Sequence, residues 1–291
     1  MTKTTRLIVE YREIARLSRL DPESAANEIS LVLKKLIPKL TNTDLQDIES
    51  NVRKSKPGVL VHEAGFSLIH AFARLGNEEV VELLLEKQAN VDSRDGRRGD
   101  TPLTYAAREG HILVVKLLLD KGAKVDAQLD DGSTSLLCAT RNGHEGVVKL
   151  LLAAGADIEA VDANECTPLI WAACNGEEKI VTLLLGKGAE TAARTKEEGY
   201  TALMQAAAKG HENIVKLLLE KGADINAKNK LDNTALIQAI THGHKAVVRV
   251  LLENKANIDI ESKQRRLGFG PRMKAIDFAR KNWELRMLLK R

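Results

Sequence analysis

Aromatic residues are scarce, 3% of the chain and nine side chains in all. An interior built on stacked rings is excluded. The abundant Ala, Leu and Val point instead to helices packed through small and aliphatic side chains. Cysteine is rarer still: Cys138, Cys166 and Cys174 show no Cys-x-x-Cys spacing. That count excludes a disulfide framework and a cysteine zinc site, and it predicts free thiols in a reducing compartment. No apolar run approaches the roughly 20 residues that span a bilayer. The opening Met-Thr-Lys-Thr-Thr-Arg-Leu-Ile-Val-Glu-Tyr lacks the apolar core of a signal peptide. The expectation is a soluble cytoplasmic protein without a transmembrane segment. No single-sign excess marks the whole chain, whose formal net charge is +4, but it divides as +3 over 1–62, −6 over 63–259 and +7 over 260–291.

Catalytic signatures are missing too. There is no glycine-rich phosphate loop, no His-Glu-x-x-His and no Gly-x-Ser-x-Gly. Five of the seven histidines fall at repeated positions, and His62 and His242 have no Cys, Asp or Ser at a recognisable catalytic spacing. The reading is no enzyme, no catalytic residue, no cofactor and no metal.

What is present is a repeat. Ser67, Thr101, Thr134, Thr167, Thr201 and Thr234 come into register at spacings of 34, 33, 33, 34 and 33 residues. Two positions on stands Ile69 or a leucine, and nine on stands Gly76, Gly110, Gly143, Gly176, Gly210 or Gly243. A Val-Val or Ile-Val pair and a Leu-Leu follow. The Thr oxygen suits a helix N-cap, and Pro102 and Pro168 suit a first turn. The glycine suits a left-handed helix end, and the next apolar spacing gives a second, amphipathic helix. Gly122, Gly155, Gly188 and Gly222 close that second helix, with Gln88 and Lys255 in their place at the two ends. A polar stretch such as Asp157 to Asp162 leads into the next unit.

At these residues the chain resembles the ankyrin-repeat family, which has a period of about 33 residues and a Thr-Pro-Leu-His-x-Ala signature. The signature His survives only as His70; Thr104, Leu137, Ile170, Met204 and Ile237 stand at the other positions. The resemblance covers residues 63–291. It implies an all-α ankyrin-repeat solenoid of helix-turn-helix units with β-hairpin-like loops, starting near 65, 99, 132, 165, 199 and 232. A degenerate capping repeat over 272–291 has Trp283 at the glycine position. Residues 1–62 read as three helices, from Leu7 to Leu17, from Asp21 to before Pro38, and from Thr43 with Gln46 in capping-box spacing. They form a helical N-terminal cap or a small recognition module. The stretch between Ile258 and Lys274 is long and predicts a projecting loop over 261–273.

The resemblance implies a protein or peptide partner held in a concave groove lined by fingertips and inner helices. The position before each Thr holds Phe66, Asp100, Ser133, Cys166, Tyr200 and Asn233; the variable position four after it holds Ala71, Tyr105, Cys138, Trp171, Gln205 and Gln238. Tyr105, Trp171 and Tyr200 are the aromatic anchors this predicts, with packing between inner helices as the other reading. Arg74, Arg108 and Arg141 form an arginine ladder suited to an acidic peptide, with surface solvation as its other reading. The candidate binding set is therefore Phe66, Arg74, Tyr105, Arg108, Cys138, Arg141, Trp171, Tyr200, Gln205 and Gln238, on a monomer. A second hypothesis is anionic lipid or nucleic acid at the basic end around Lys263, Arg265, Arg266, Arg272, Lys274, Arg280 and Lys281. A third is a bacterial effector delivered into a host cell by a specialised secretion system, acting on host proteins by binding.

Overall fold

The computed structural model describes residues 68–96, 98–265, 272–279 and 282–289. The three expected N-terminal helices and Phe66 lie outside the described residues. The described residues fall into two compact units dividing after Ala156. The first holds α1 (Leu68–Arg74), α2 (Glu78–Glu86), α3 (Pro102–Glu109), α4 (Ile112–Asp120), α5 (Ser135–Arg141) and α6 (Glu145–Ala153). Inner helices α1, α3 and α5 pack in succession, outer helices α2, α4 and α6 do the same, and each inner helix packs on its own outer partner.

The second unit repeats the plan with inner helices α7 (Pro168–Asn175), α9 (Ala202–Lys209) and α11 (Ala235–Thr241), and outer helices α8 (Glu178–Gly186), α10 (Glu212–Glu220) and α12 (Lys245–Glu253). It ends with strands β1 (Ser262–Arg265) and β2 (Arg272–Met273) and short helices α13 (Ala275–Phe278) and α14 (Trp283–Leu288). α13 covers α11, and α14 covers α12. The Lys274 amide donates to Asp277 Oδ2 at 2.9 Å and the Leu285 amide to Asn282 Oδ1 at 3.2 Å, so both short helices start on a side-chain cap.

The five threonines do what their spacing predicts. Thr101, Thr134, Thr167, Thr201 and Thr234 each accept from the amide three residues on, at 3.2 to 3.4 Å. Each such cap is worth about 1 kcal/mol. Thr104, in the signature histidine position, returns the bond: the Thr101 amide donates to its hydroxyl at 2.7 Å. The buried valine pairs and leucines, Val114, Val115 and Leu118 among them, face the inner helices with no exposed area. At roughly 1.5–3 kcal/mol per buried aliphatic side chain they hold the hairpins closed.

Successive repeats are fastened at the glycine. Gly110 ends α3 with φ 82°, and a Cβ there would fall 2.6 Å from Nδ1 of His144 in the next repeat. His144 in turn places Nε2 2.8 Å from the Arg108 carbonyl oxygen, so its N–H donates across the repeat boundary. His111 does the same to Arg74 at 2.8 Å, and in the second unit His211 reaches Cys174 at 3.2 Å and His244 reaches Ala208 at 2.9 Å. Gly76, Gly176 and Gly210 lie under those rings. The glycine thus serves two demands, a left-handed backbone and a flat bed for the neighbouring imidazole.

The outer-helix ends make only the first demand. Gly122, with φ 85°, has open space where a Cβ would go, and Gln88 and Lys255 adopt φ 63° and 61° at the equivalent ends. Strain of about 1 kcal/mol is tolerated there.

The expected projecting loop over 261–273 is revised at both ends. Its arms pair as antiparallel strands, Ser262 opposite Met273 and Arg265 opposite Arg272. The Lys263 amide also donates to Leu231 of the preceding fingertip at 2.8 Å. The insertion extends a fingertip hairpin because those backbone groups would otherwise lack partners. Residues 266–271 lie outside the described residues.

Two outcomes test this account. Gly122→Ala should cost about 1 kcal/mol in urea unfolding, from the left-handed backbone alone. Gly110→Ala should cost at least about twice that, since the His144 ring must also move and give up its bond. Equal losses would contradict the interlock. His70 is fully buried, its Nε2 2.9 Å from the Ser93 carbonyl oxygen, and burial pushes its pKa below 6.5. The unfolded chain takes up that proton as pH falls below 6.5 and the folded chain does not, so stability is present above that pH and lost below it. His70→Thr should flatten the decline between pH 7.5 and 5.5, by up to about 1.4 kcal/mol per pH unit; an unchanged slope would contradict the buried neutral state.

Candidate functional site

Three of the loops between an outer helix and the next inner helix are each tied down by one side chain. In the first unit Asp95 Oδ1 accepts from the amides of Arg98 and Asp100 at 3.1 and 3.0 Å, while Oδ2 accepts from the Tyr105 hydroxyl at 2.7 Å. In the second, Asp162 Oδ1 accepts from the amides of Asn164 and Cys166, and Oδ2 from Trp171 Nε1 at 2.9 Å. Asn229 binds the Leu231 and Asn233 amides in the same way. The carboxylate shapes the fingertip with one oxygen and aims the aromatic at the variable position with the other.

Fingertips of neighbouring repeats also bind one another within each unit. The Asp130 amide donates to Arg98 at 2.8 Å, Lys196 to Asn164 at 2.8 Å and Lys230 to Glu198 at 2.9 Å. In the two repeats that carry an extra residue, an arginine closes the enlarged tip. Arg94 donates to the Gln128 carbonyl at 2.7 Å and pairs with Asp130 at 3.1 Å. Arg194 donates to the Gly199 and Lys228 carbonyls. The 34-residue spacings, each followed back seven positions from the Thr, were the sequence signal for these arginines.

The anticipated binding residues divide by depth. Trp171, Tyr200 and Gln205 are half-buried and reach the surface of the second unit. Burial and then Glu198 push the Tyr200 phenol upward, keeping it protonated. Tyr105, Cys138 and Gln238 are 8%, 5% and 4% exposed, so these three sit between inner helices rather than on a surface. The inner helices approach closely enough to cover the variable position there. Gln238 Nε2 donates to the Tyr200 hydroxyl at 3.3 Å and so supports it from below. Burial pushes the Cys138 thiol up against the pull of Arg108, and it stays protonated.

The arginine ladder is partly neutralised by neighbours. Arg108 forms an ion pair with the buried Asp100 and lies 5.4 Å from the centre of the Tyr105 ring. Arg74 meets Glu109 at 3.6 Å across exposed surface. Arg141 is half-buried near Asp131; burial opposes the charge on Asp131, but the Ser133 amide, then Arg141 and Arg98, hold its carboxyl below the usual range. Sequence spacing aligned the arginines and not the acids between them. A cleft of about 240 Å³ opens in the first unit between the inner helices and the fingertip, lined by Arg74, Asp95, Arg98, Asp100, Tyr105, Arg108 and Glu109. Among the described residues, no group of three or more His, Cys, Asp or Glu side chains is placed to hold a metal ion, and no helix is long and apolar enough to cross a membrane.

The family pattern described as Ankyrin repeats (3 copies) matches residues 24–129, 125–195 and 191–264. The first match begins within the segment expected to be an N-terminal cap. Among solved structures, the human ASB11 ankyrin repeat domain superposes with a TM-score of 0.67 at 24% identity, over 77% of this chain and 97% of that one. No curated protein sequence matches. Likeness at that identity carries the fold alone. The caps, glycines and fingertips follow one plan along three tandem family matches, and the chain belongs to the ankyrin repeats, a family of protein-interaction modules with no catalytic chemistry attached to the fold.

Proposed function

We propose that the protein is a non-enzymatic scaffold that binds a partner protein across its fingertips and the exposed edge of its inner helices. The observation that carries the reading is the contrast between constant and variable positions. Caps, glycines and outer-helix apolar residues recur from repeat to repeat, whereas the position four after each cap changes, and where it reaches the surface it carries unlike side chains, Trp171 and Gln205. A frame fixed by hydrogen bonds and a changing chemistry at one face is what specificity on a repeat scaffold requires. Because Asp162 and Gln238 hold Trp171 and Tyr200 in place, binding immobilises few rotamers, and the ordering cost is low.

The basic-end reading draws less support. Lys274 pairs with Asp259 at 3.1 Å and Lys263 with Asp232 at 3.4 Å, so local acids occupy two of its cations. The buried pairing within the first unit leaves Arg74, on the cleft, and the half-buried Arg141 as its contributors, with Trp171, Tyr200 and Gln205 as those of the second unit.

The test is capture from a cell lysate with wild-type protein, a Trp171→Ala/Tyr200→Ala variant and an outer-helix Lys149→Ala/Lys216→Ala variant, all matched by circular dichroism. The inner-face variant should lose the partner, with affinity down by more than about 1 kcal/mol per anchor, and the outer-face variant should keep it. Retention by the inner-face variant would overturn the assignment.

A further inference from the structure

Deepening the scaffold reading, on which it rests, we propose that the cleft of the first unit is a carboxylate-binding subsite that takes an aspartate or glutamate side chain from an acidic peptide segment. Its lining balances in formal charge, with Arg74, Arg98 and Arg108 against Asp95, Asp100 and Glu109. It does not balance in hydrogen-bonding capacity. The acceptors are withdrawn and occupied. Asp95 is 5% exposed and takes two backbone amides and the Tyr105 hydroxyl; Asp100 is 1% exposed and takes Arg108. Glu109 is the exposed acid, and it faces Arg74.

The donors are in surplus. A guanidinium carries five N–H groups in a planar fork. Arg108 reaches both Asp100 and the Cys138 sulfur through the same nitrogen, Nη2. Arg74 approaches Glu109 at 3.6 Å, an ion pair beyond good hydrogen-bond length. The Arg98 side chain is exposed at the fingertip, with Asp131 as its acidic neighbour from the next tip. A cationic guest would find Asp95 and Asp100 buried and engaged, with Glu109 alone left to meet it. A carboxylate would find forked donors on the rim, one of them over the Tyr105 ring at 5.4 Å. Asp95 therefore has two consequences: it shapes the fingertip that presents Arg98, and it positions the ring beneath Arg108.

Fluorescence anisotropy of the full chain with a labelled octaglutamate peptide tests this, beside octaglutamine and a single-stranded oligothymidylate of equal length. Octaglutamate should bind and octaglutamine should not. Arg74→Gln/Arg98→Gln should weaken octaglutamate at least tenfold, while Lys149→Gln/Lys216→Gln, an equal loss of charge on the outer helices, should weaken it less than twofold. Both variants alter exposed side chains, and matching urea midpoints verify their folding. No binding by the wild type, equal losses in the two variants, or oligothymidylate binding as tightly as octaglutamate would overturn the subsite. If octaglutamate fails while partner capture still depends on Trp171 and Tyr200, this inference falls and the scaffold reading stands; loss of that dependence removes both.

Discussion

The contact on which the rest depends is the imidazole laid on a left-handed glycine of the preceding repeat. No helical hairpin of this size can bury both of its faces, so each must borrow its neighbour's surface. The His144 ring against Gly110, with its bond to the Arg108 carbonyl, sets the distance and rotation at which α5 meets α3. The same contact, repeated at Gly76, Gly176 and Gly210, makes the placement of four repeats within their units a consequence of one residue type. A second row of bonds at the other end of the hairpins, from fingertip amides to the preceding fingertip carbonyls, fixes the tilt. Between these two rows the inner helices have little freedom, and their exposed edges are held in place.

That fixing explains how acids came to organise the display face. A fingertip needs its turning amides satisfied, and a carboxylate at Asp95 or Asp162 satisfies two of them with one oxygen. The other oxygen holds an aromatic hydroxyl or indole N–H. Stability and presentation are joined in one side chain, and the first-unit cleft is a by-product of the same geometry, floored by Tyr105 and rimmed by arginine.

Much of this was legible in the sequence because it is periodic. The threonines, the glycines and the valine pairs announce caps, left-handed ends and a second helix by spacing alone, and Gln88 and Lys255 stand where the pattern requires an unfavourable backbone. The site was less legible, since it depends on contacts between residues about ten apart through a loop or about thirty apart through a repeat. Tyr105 and Trp171 share a sequence position yet differ in exposure. Arg108 aligns with Arg74 and Arg141, but Asp100, eight residues back, claims it. The insertion over 261–273 looked like a free loop because no period predicts which backbone groups of a fingertip are left to pair.

On the scaffold proposal, the fingertip and inner-helix edge, held by the glycine–histidine contacts, is the binding face. Hydrogen–deuterium exchange of the full chain with and without its captured partner tests it most directly. The account predicts slowed exchange in fingertip segments such as 93–100 and 162–166 and in the first turns of the inner helices, with the outer helices unchanged. Protection concentrated on the outer helices, with the fingertips untouched, would contradict it.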